Sequence, residues 1–160
     1  MDTYSFETSF FLNFEDNEMI ELINISKRCV FEEDDYIFIK NDKSDAFYII
    51  SDGFVQIYST KDGKEMTFPL IASGRVLGEI AFFDKRPRTA SAKAFKRTEA
   101  LLISDEAFAK LEKNNPQLAI KILKELGTVL AKRLRLSDEI IIDFGTANVD
   151  DRFLEKIGKK

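Results

Sequence analysis

A mainly β fold with flanking helices is predicted by three observations: short β-branched and aromatic runs recurring about every ten residues, Asp-Gly turns between them, and helical periodicity confined to the two ends. The runs are Arg28-Cys29-Val30-Phe31, Tyr36-Ile37-Phe38-Ile39, Phe47-Tyr48-Ile49-Ile50 and Phe54-Val55-Gln56-Ile57-Tyr58, separated by Asp, Asn, Ser and Gly. That spacing suits an antiparallel sandwich or barrel. The 160 residues, 44% of them apolar, fit one domain with an appended helix. Fifteen Phe and no Trp supply the large side chains of a β-rich interior.

Residues Phe6 to Ile25 carry Phe10, Phe11, Phe14, Ile20, Leu22 and Ile23 among acidic residues, which predicts one or two short amphipathic helices, with Asp16 as N-cap. Ser51-Asp52-Gly53 and Lys61-Asp62-Gly63-Lys64 predict turns in which Gly takes positive φ. A strand is expected over Glu65 to Ile71, and Ser73-Gly74 then turns the chain into Val76-Leu77. Ser91 to Lys96 and Glu99 to Ser104 read as two further strands, with Ala100-Leu101-Leu102-Ile103 a continuous apolar run of the buried kind. Ser104 or Asp105 caps a helix over Glu106 to Lys113, ended by Asn114-Asn115.

Pro116 opens a longer last helix. Its expected apolar face is Leu118, Ile122, Leu126, Val129, Leu130 and Leu134, with Lys121, Lys124, Lys132, Arg133 and Arg135 largely on the other side. Gly127 weakens this helix by about 1 kcal/mol relative to Ala and marks a place for a bend. Beyond it, Ile140-Ile141-Ile142, Phe153-Leu154 and Ile157 make the end too apolar for a simple disordered tail.

Composition excludes several function classes. With Cys29 as the only cysteine, neither an intramolecular disulfide nor a cysteine-based metal cluster forms, and a reducing, cytoplasmic setting is expected. The absence of His removes the commonest general base and metal ligand together, so a metal-dependent barrel enzyme is not expected. No apolar run reaches the ~20 residues of a membrane span, and the start lacks the order of a signal peptide. A net charge of −4 and a pI near 5.1 speak against direct nucleic-acid binding. Asp143-Phe144-Gly145 has no accompanying phosphate loop or catalytic loop, so it does not indicate a kinase.

One stretch carries chemistry. Gly78 allows a tight turn, and Glu79-Ile80-Ala81-Phe82-Phe83 then forms one short helical turn whose first amides suit an anion. Nine residues past Glu79 stands Arg88, behind Pro87, followed by the small residues Thr89-Ala90-Ser91-Ala92. An Arg fork matches two phosphate oxygens at once. Alone, Glu79 reads as a first-turn carboxylate and Arg88 as a solvated cation; together, at this spacing, they point to a phosphate-bearing ligand.

This segment resembles the phosphate-binding cassette of the cyclic nucleotide-binding domain family, Gly-Glu-(Leu/Ile)-Ala, a variable turn, then Pro-Arg-(Ala/Ser/Thr)-Ala-(Ser/Thr), and fills every position of it. Phe47-Tyr48-Ile49-Ile50-Ser51-Asp52-Gly53 resembles the family's Phe-Tyr-Ile-Ile-x-x-Gly strand and turn. Asp34 stands where the family usually has Gly, a variation that Asp tolerates in turns. The resemblance covers roughly residues 10–135. It implies an antiparallel β-barrel or jelly roll with N-terminal helices, a short cassette helix and C-terminal helices. It also implies that residues 1–136 form the binding domain, and that 137–160 are a lid, a dimer contact or a linker.

By the same resemblance, Glu79 accepts the ribose 2′-hydroxyl and Arg88 pairs with the cyclic phosphate. The amides of Ile80, Ala81 and Ala90 complete the anion cradle beside Gly78. Thr89 occupies the position that accompanies cGMP preference, although bacterial members with a hydroxyl there bind cAMP, so the ligand is cAMP or cGMP. The expected function is a regulatory module, not an enzyme, that needs no cofactor besides its ligand. It signals by moving its last helix toward an effector or a homodimer mate. The alternative is a nucleotide-free protein-interaction or dimerisation module on the same fold.

Overall fold

The computed structural model describes residues 9–147; Phe6, Phe153, Leu154 and Ile157, and most of the expected 137–160 extension, lie outside them. A 3₁₀ turn over Phe10–Asn13 precedes α1 (Asp16–Ile25). Nine strands and a short helix follow: β1 (Lys27–Phe31), β2 (Tyr36–Phe38), β3 (Ala46–Asp52), β4 (Phe54–Lys61), β5 (Lys64–Thr67), β6 (Ile71–Ala72), β7 (Val76–Leu77), α2 (Glu79–Asp84), β8 (Ser91–Ala94) and β9 (Thr98–Ser104). Helices α3 (Asp105–Asn114) and α4 (Pro116–Ala147) complete the chain.

The strands form two antiparallel sheets, β1-β9-β3-β7 and β2-β8-β4-β5 with β6 paired to β4. The sheet ladders do not close into a barrel, so the mainly β fold is a two-sheet jelly-roll arrangement. Alternation along the central strands serves two cores. Phe47, Ile49, Leu101, Ile103 and Val76 pack toward the helices, against Leu22, Phe108, Leu111, Leu118, Ile122 and Leu126. Tyr48, Ile50, Ala100 and Leu77 pack toward the second sheet, against Ile37, Val55 and Ala92. A strand buried on both faces explains why Ala100 to Ile103 is continuously apolar.

Several expectations shift by a few residues for local reasons. The N-cap of α1 is Glu15 rather than Asp16, because the Glu15 N–H donates to the Glu18 carboxylate (2.8 Å) and the Met19 N–H returns to the Glu15 carbonyl (2.9 Å). Ser104, not Asp105, caps α3, accepting from the Ala107 N–H. The strand expected over Glu65 to Ile71 divides into β5 and β6. Pro69 has no N–H to give the ladder, and the Gln56 side-chain amide donates to the Phe68 carbonyl there. Asp34 takes φ 70, the left-handed turn its identity permits.

Helix α4 runs unbroken through Gly127 and past residue 136. Leu118, Ile122 and Leu126 are buried as expected, but Leu134 is 64% exposed and Arg133 turns inward in its place. The cause is helix geometry. Seven residues at about 100° each fall about 20° short of two turns, so Arg133 continues the line of Leu126, whereas Leu134 is displaced by about 80°. Among the described residues, no helix is long and apolar enough to cross a membrane, and no cluster of His, Cys, Asp and Glu is placed to hold a metal ion.

Candidate functional site

The segment singled out from sequence begins where β7 ends. Gly78 sits at φ 78, ψ 12 and caps α2. A Cβ on it would lie 2.1 Å from Arg88 Nη1 and 3.0 Å from Cζ, so the absent side chain is the space the guanidinium fills. Lys85, at φ 57, ends α2 in the left-handed region, and its ammonium holds Asp105 at the start of α3 (2.6 Å).

The extended segment carrying Arg88 is pinned through its backbone. Its N–H donates to the Asp42 carbonyl and its carbonyl accepts from the Asn41 N–H, both at 2.9 Å. The side chain is 5% exposed. Nη1 donates to the Gly78 carbonyl (3.0 Å) and Nη2 to the Ala46 carbonyl (2.8 Å), while Cζ lies 4.4 Å from the Phe38 ring centre. Nε is buried with no acceptor. Burial pulls the Arg88 pKa below its ordinary value, opposed by Tyr48, Asp45 and Glu79; the group remains cationic. The same burial pushes the Tyr48 hydroxyl up.

Glu79, at the first position of α2, is 2% exposed. Its Oε1 accepts from Arg133 Nη1, and Arg133 Nη2 donates to the Val76 carbonyl (2.9 Å). A carboxylate this deep requires a partner. Arg133 supplies it from α4, across 54 positions of sequence.

The seven residues singled out from sequence, Gly78, Glu79, Ile80, Ala81, Arg88, Thr89 and Ala90, line one cavity of about 370 Å³. Glu79, Ala81 and Arg88 are buried, Gly78 and Ala90 half-buried, and Ile80 and Thr89 exposed. Apolar side chains of the second sheet, among them Phe38, Ile57 and Ile71, form the opposite wall. A lid from the last helix was among the expectations, but none of the α4 residues that close the remaining side, Arg133, Leu136, Ser137 and Ile140, was named from sequence. The signal was present in the seven-residue step from Leu126 through Arg133 to Ile140, which puts all three on one side of the helix. The arrangement offers a buried cation, a buried carboxylate and an apolar compartment, a set that fits an amphiphilic anion with a hydroxyl.

Comparison with known proteins gives the family. A cyclic AMP receptor protein of Thermus thermophilus is 32% identical over 113 residues, covering 70% of this chain and 50% of the relative. A CRP-like cAMP-activated global transcriptional regulator of Mycobacterium tuberculosis is 27% identical over 122 residues, covering 76% and 53%. The chain thus spans about half the length of these relatives. The crystal structure of Thermus thermophilus catabolite activator protein superposes with TM-score 0.76 at 27% identity, over 86% of this chain and 63% of that one. A cyclic nucleotide-binding domain from Methylobacillus flagellatus gives TM-score 0.76 at 26% identity, over 83% and 75%. The family described as Cyclic nucleotide-binding domain matches residues 28–115, more than half of the chain. With residues 28–115 spanning nearly all of β1 through α3, the chain belongs to the cyclic nucleotide-binding domain family.

Proposed function

We propose that the chain is a regulatory module that binds cAMP or cGMP and signals by repositioning α4 toward an effector. The observation that carries this reading is Arg88, a buried cation with an Nε donor that lacks an acceptor, in a cavity it shares with buried Glu79. A buried donor of this kind costs about 1–3 kcal/mol unless something accepts from it. A cyclic phosphate does so while Glu79 accepts the ribose 2′-hydroxyl, and the base lies against the apolar wall. The names of two relatives favour cAMP. Thr89, exposed on the cavity wall, supplies a hydroxyl for the guanine amino group and keeps cGMP as the second ligand to test. Because α4 lines the cavity, a ligand that prefers one position of α4 shifts its population, and that shift is the signal.

Calorimetric titration of nucleotide-stripped protein with cAMP and cGMP tests this reading. Micromolar or tighter binding is expected, about −8 kcal/mol or better. Arg88→Ala is expected to weaken it by about 1.5–3 kcal/mol, roughly ten- to a hundredfold, the worth of a charge-assisted bond. A second reading, a nucleotide-free protein-interaction module, is favoured by the internal pairing of Glu79 with Arg133. Absence of heat and of thermal shift with either nucleotide would select it.

The partner of α4 is proposed to be a second copy. Ile120, Gly127, Leu134 and Ile141 are exposed at seven-residue intervals along one side of the helix, the spacing of a helix-pairing seam. Leu134→Glu is expected to shift the monomer–dimer equilibrium toward monomer by at least about tenfold, since it places like charges on the seam. Sedimentation equilibrium reads this, and an unchanged mass would remove the seam from consideration.

A further inference from the structure

Among the described residues, no carboxylate forms an ion pair with Arg88. Three act on it only at longer range, Asp45, Glu79 and Asp42; Glu79 is paired with Arg133, Asp42 accepts from the Ile39 N–H (3.0 Å), and Asp45 is exposed. A cation this deeply buried needs stabilisation from another source. Two backbone carbonyls give part of it, and two ring faces give the rest. The guanidinium carbon lies over the Phe38 ring, 4.4 Å from its centre, and 5.9 Å from the centre of Tyr48, both within the roughly 6 Å reach of a cation–π contact. The two rings meet each other at 6.1 Å, tilted by 35°.

Phe38 reaches this place through an irregularity in its strand. Tyr36 pairs with Lys93 and Phe38 with Ala92, so two steps along β2 answer one step along β8. Plain alternation would send Ile37 and Phe38 to opposite faces of the sheet. With the extra residue, Ile37 is buried between the sheets and Phe38 packs against that same core, where it also lines the cavity. Re-aiming one side chain beside a site is what a bulge does to a strand.

The two ways of holding a buried arginine differ in consequence. A carboxylate beside Arg88 would fix it and cancel most of its charge, leaving little attraction for an anion. A ring face holds the planar guanidinium through its quadrupole and carries no net charge, so the positive charge stays available. The carbonyls of Gly78 and Ala46 share that neutrality.

We infer that Phe38 is a positioning residue of the anion site: its ring, backed by Tyr48, holds the Arg88 guanidinium at the cavity wall without neutralising it. The role rests on the cyclic nucleotide reading and deepens it, since the cyclic phosphate then meets a cation kept in place by neutral groups alone. An aliphatic side chain at position 38 would fill the same space between the sheets but would offer the guanidinium no face. The ring therefore contributes to affinity through Arg88, and only while Arg88 is present.

A double-mutant cycle tests this. Dissociation constants for cAMP are measured by calorimetry on the full chain, on Phe38→Leu, on Arg88→Gln and on the protein carrying both substitutions. Phe38→Leu is expected to weaken binding about fivefold or more, the scale of a desolvated cation–π contact, and Phe38→Tyr, which keeps the ring face, to recover most of that loss. In the Arg88→Gln background Phe38→Leu is expected to cost less than about twofold, because the group it acts through is gone. A ring that merely packs the core, or touches the base, weakens binding by the same factor with or without Arg88, and equal factors overturn the inference. Fluorinated phenylalanines placed at position 38 supply the second readout, since each fluorine drains the ring face with little change in size. Affinity for cAMP is expected to fall stepwise along that series. A flat series overturns the inference even if Phe38→Leu fails to fold. Wild-type protein that takes up no cAMP sinks the nucleotide reading and this role with it, whereas cAMP binding with equal factors or a flat series sinks this role alone.

Discussion

Gly78→Ala is expected to lower unfolding stability by about 2.5–5 kcal/mol and to weaken cyclic nucleotide binding at least as much as Arg88→Ala. Two costs add. The left-handed backbone at φ 78 costs a residue with a Cβ about 1–2 kcal/mol. The added carbon would also stand 2.1 Å from Arg88 Nη1, a separation that no contact tolerates. Either the guanidinium swings away, losing a charge-assisted bond worth about 1.5–3 kcal/mol, or the turn opens. In the first case Arg88 leaves the cavity; in the second Glu79 shifts with α2. Urea denaturation followed at the tyrosines, together with calorimetry, checks both halves. A Gly78→Ala protein with wild-type midpoint and affinity would show that Arg88 does not depend on this contact.

The same contact explains why this segment was legible from sequence. Gly78, Glu79, Pro87 and Arg88 are close along the chain, and each residue type answers a local demand: a left-handed turn, a helix start, a fixed extended segment and a cation behind it. The strands were legible for a similar reason, since alternation and Asp-Gly turns are local. What was not legible depends on contacts between distant segments. Arg133 is one of five cations within fifteen residues, and nothing nearby in sequence distinguishes it from Lys132 or Arg135. Only the angular step from Leu126 turns it inward, and only the fold puts Glu79 there to meet it. Leu134 was misplaced for the complementary reason: an apolar residue was assigned to the buried face, although α4 has by then left the core.

Gln56 is a smaller case of the same kind. Its amide reaches the Phe68 carbonyl and helps end β5 early, and no pattern of periodicity encodes a side-chain bond across a hairpin. In each instance the local rule held until a long-range partner altered its outcome.

Phe47→Ala is expected to produce the largest loss of stability without touching the ligand, about 3–5 kcal/mol, as for other buried Phe truncations. Phe47 is wholly buried near the start of β3, where it pairs with Ile103 of β9. Its ring meets Phe82 of α2 edge-on at 4.8 Å, and Phe82 meets Phe108 of α3 at 5.3 Å. The substitution therefore removes the large side chain against which α2 is seated and leaves a cavity between three elements that cannot all close on it. A stability loss near 10% of that size would mean that the helices collapse onto the vacated space. Binding supplies a second criterion. Phe47 points to the helical side of the sheet while its neighbour Tyr48 points to the second sheet, with its ring 5.9 Å from the Arg88 guanidinium carbon. If the alternation of β3 separates support from recognition, Phe47→Leu retains most of the stability and nearly all of the affinity. In Phe47→Ala, by contrast, affinity falls only as far as α2 loosens, and hydrogen exchange in Glu79–Asp84 rises in step with it. Affinity lost in Phe47→Leu with stability unchanged would refute that division of labour, because it would place Phe47 in the recognition surface itself.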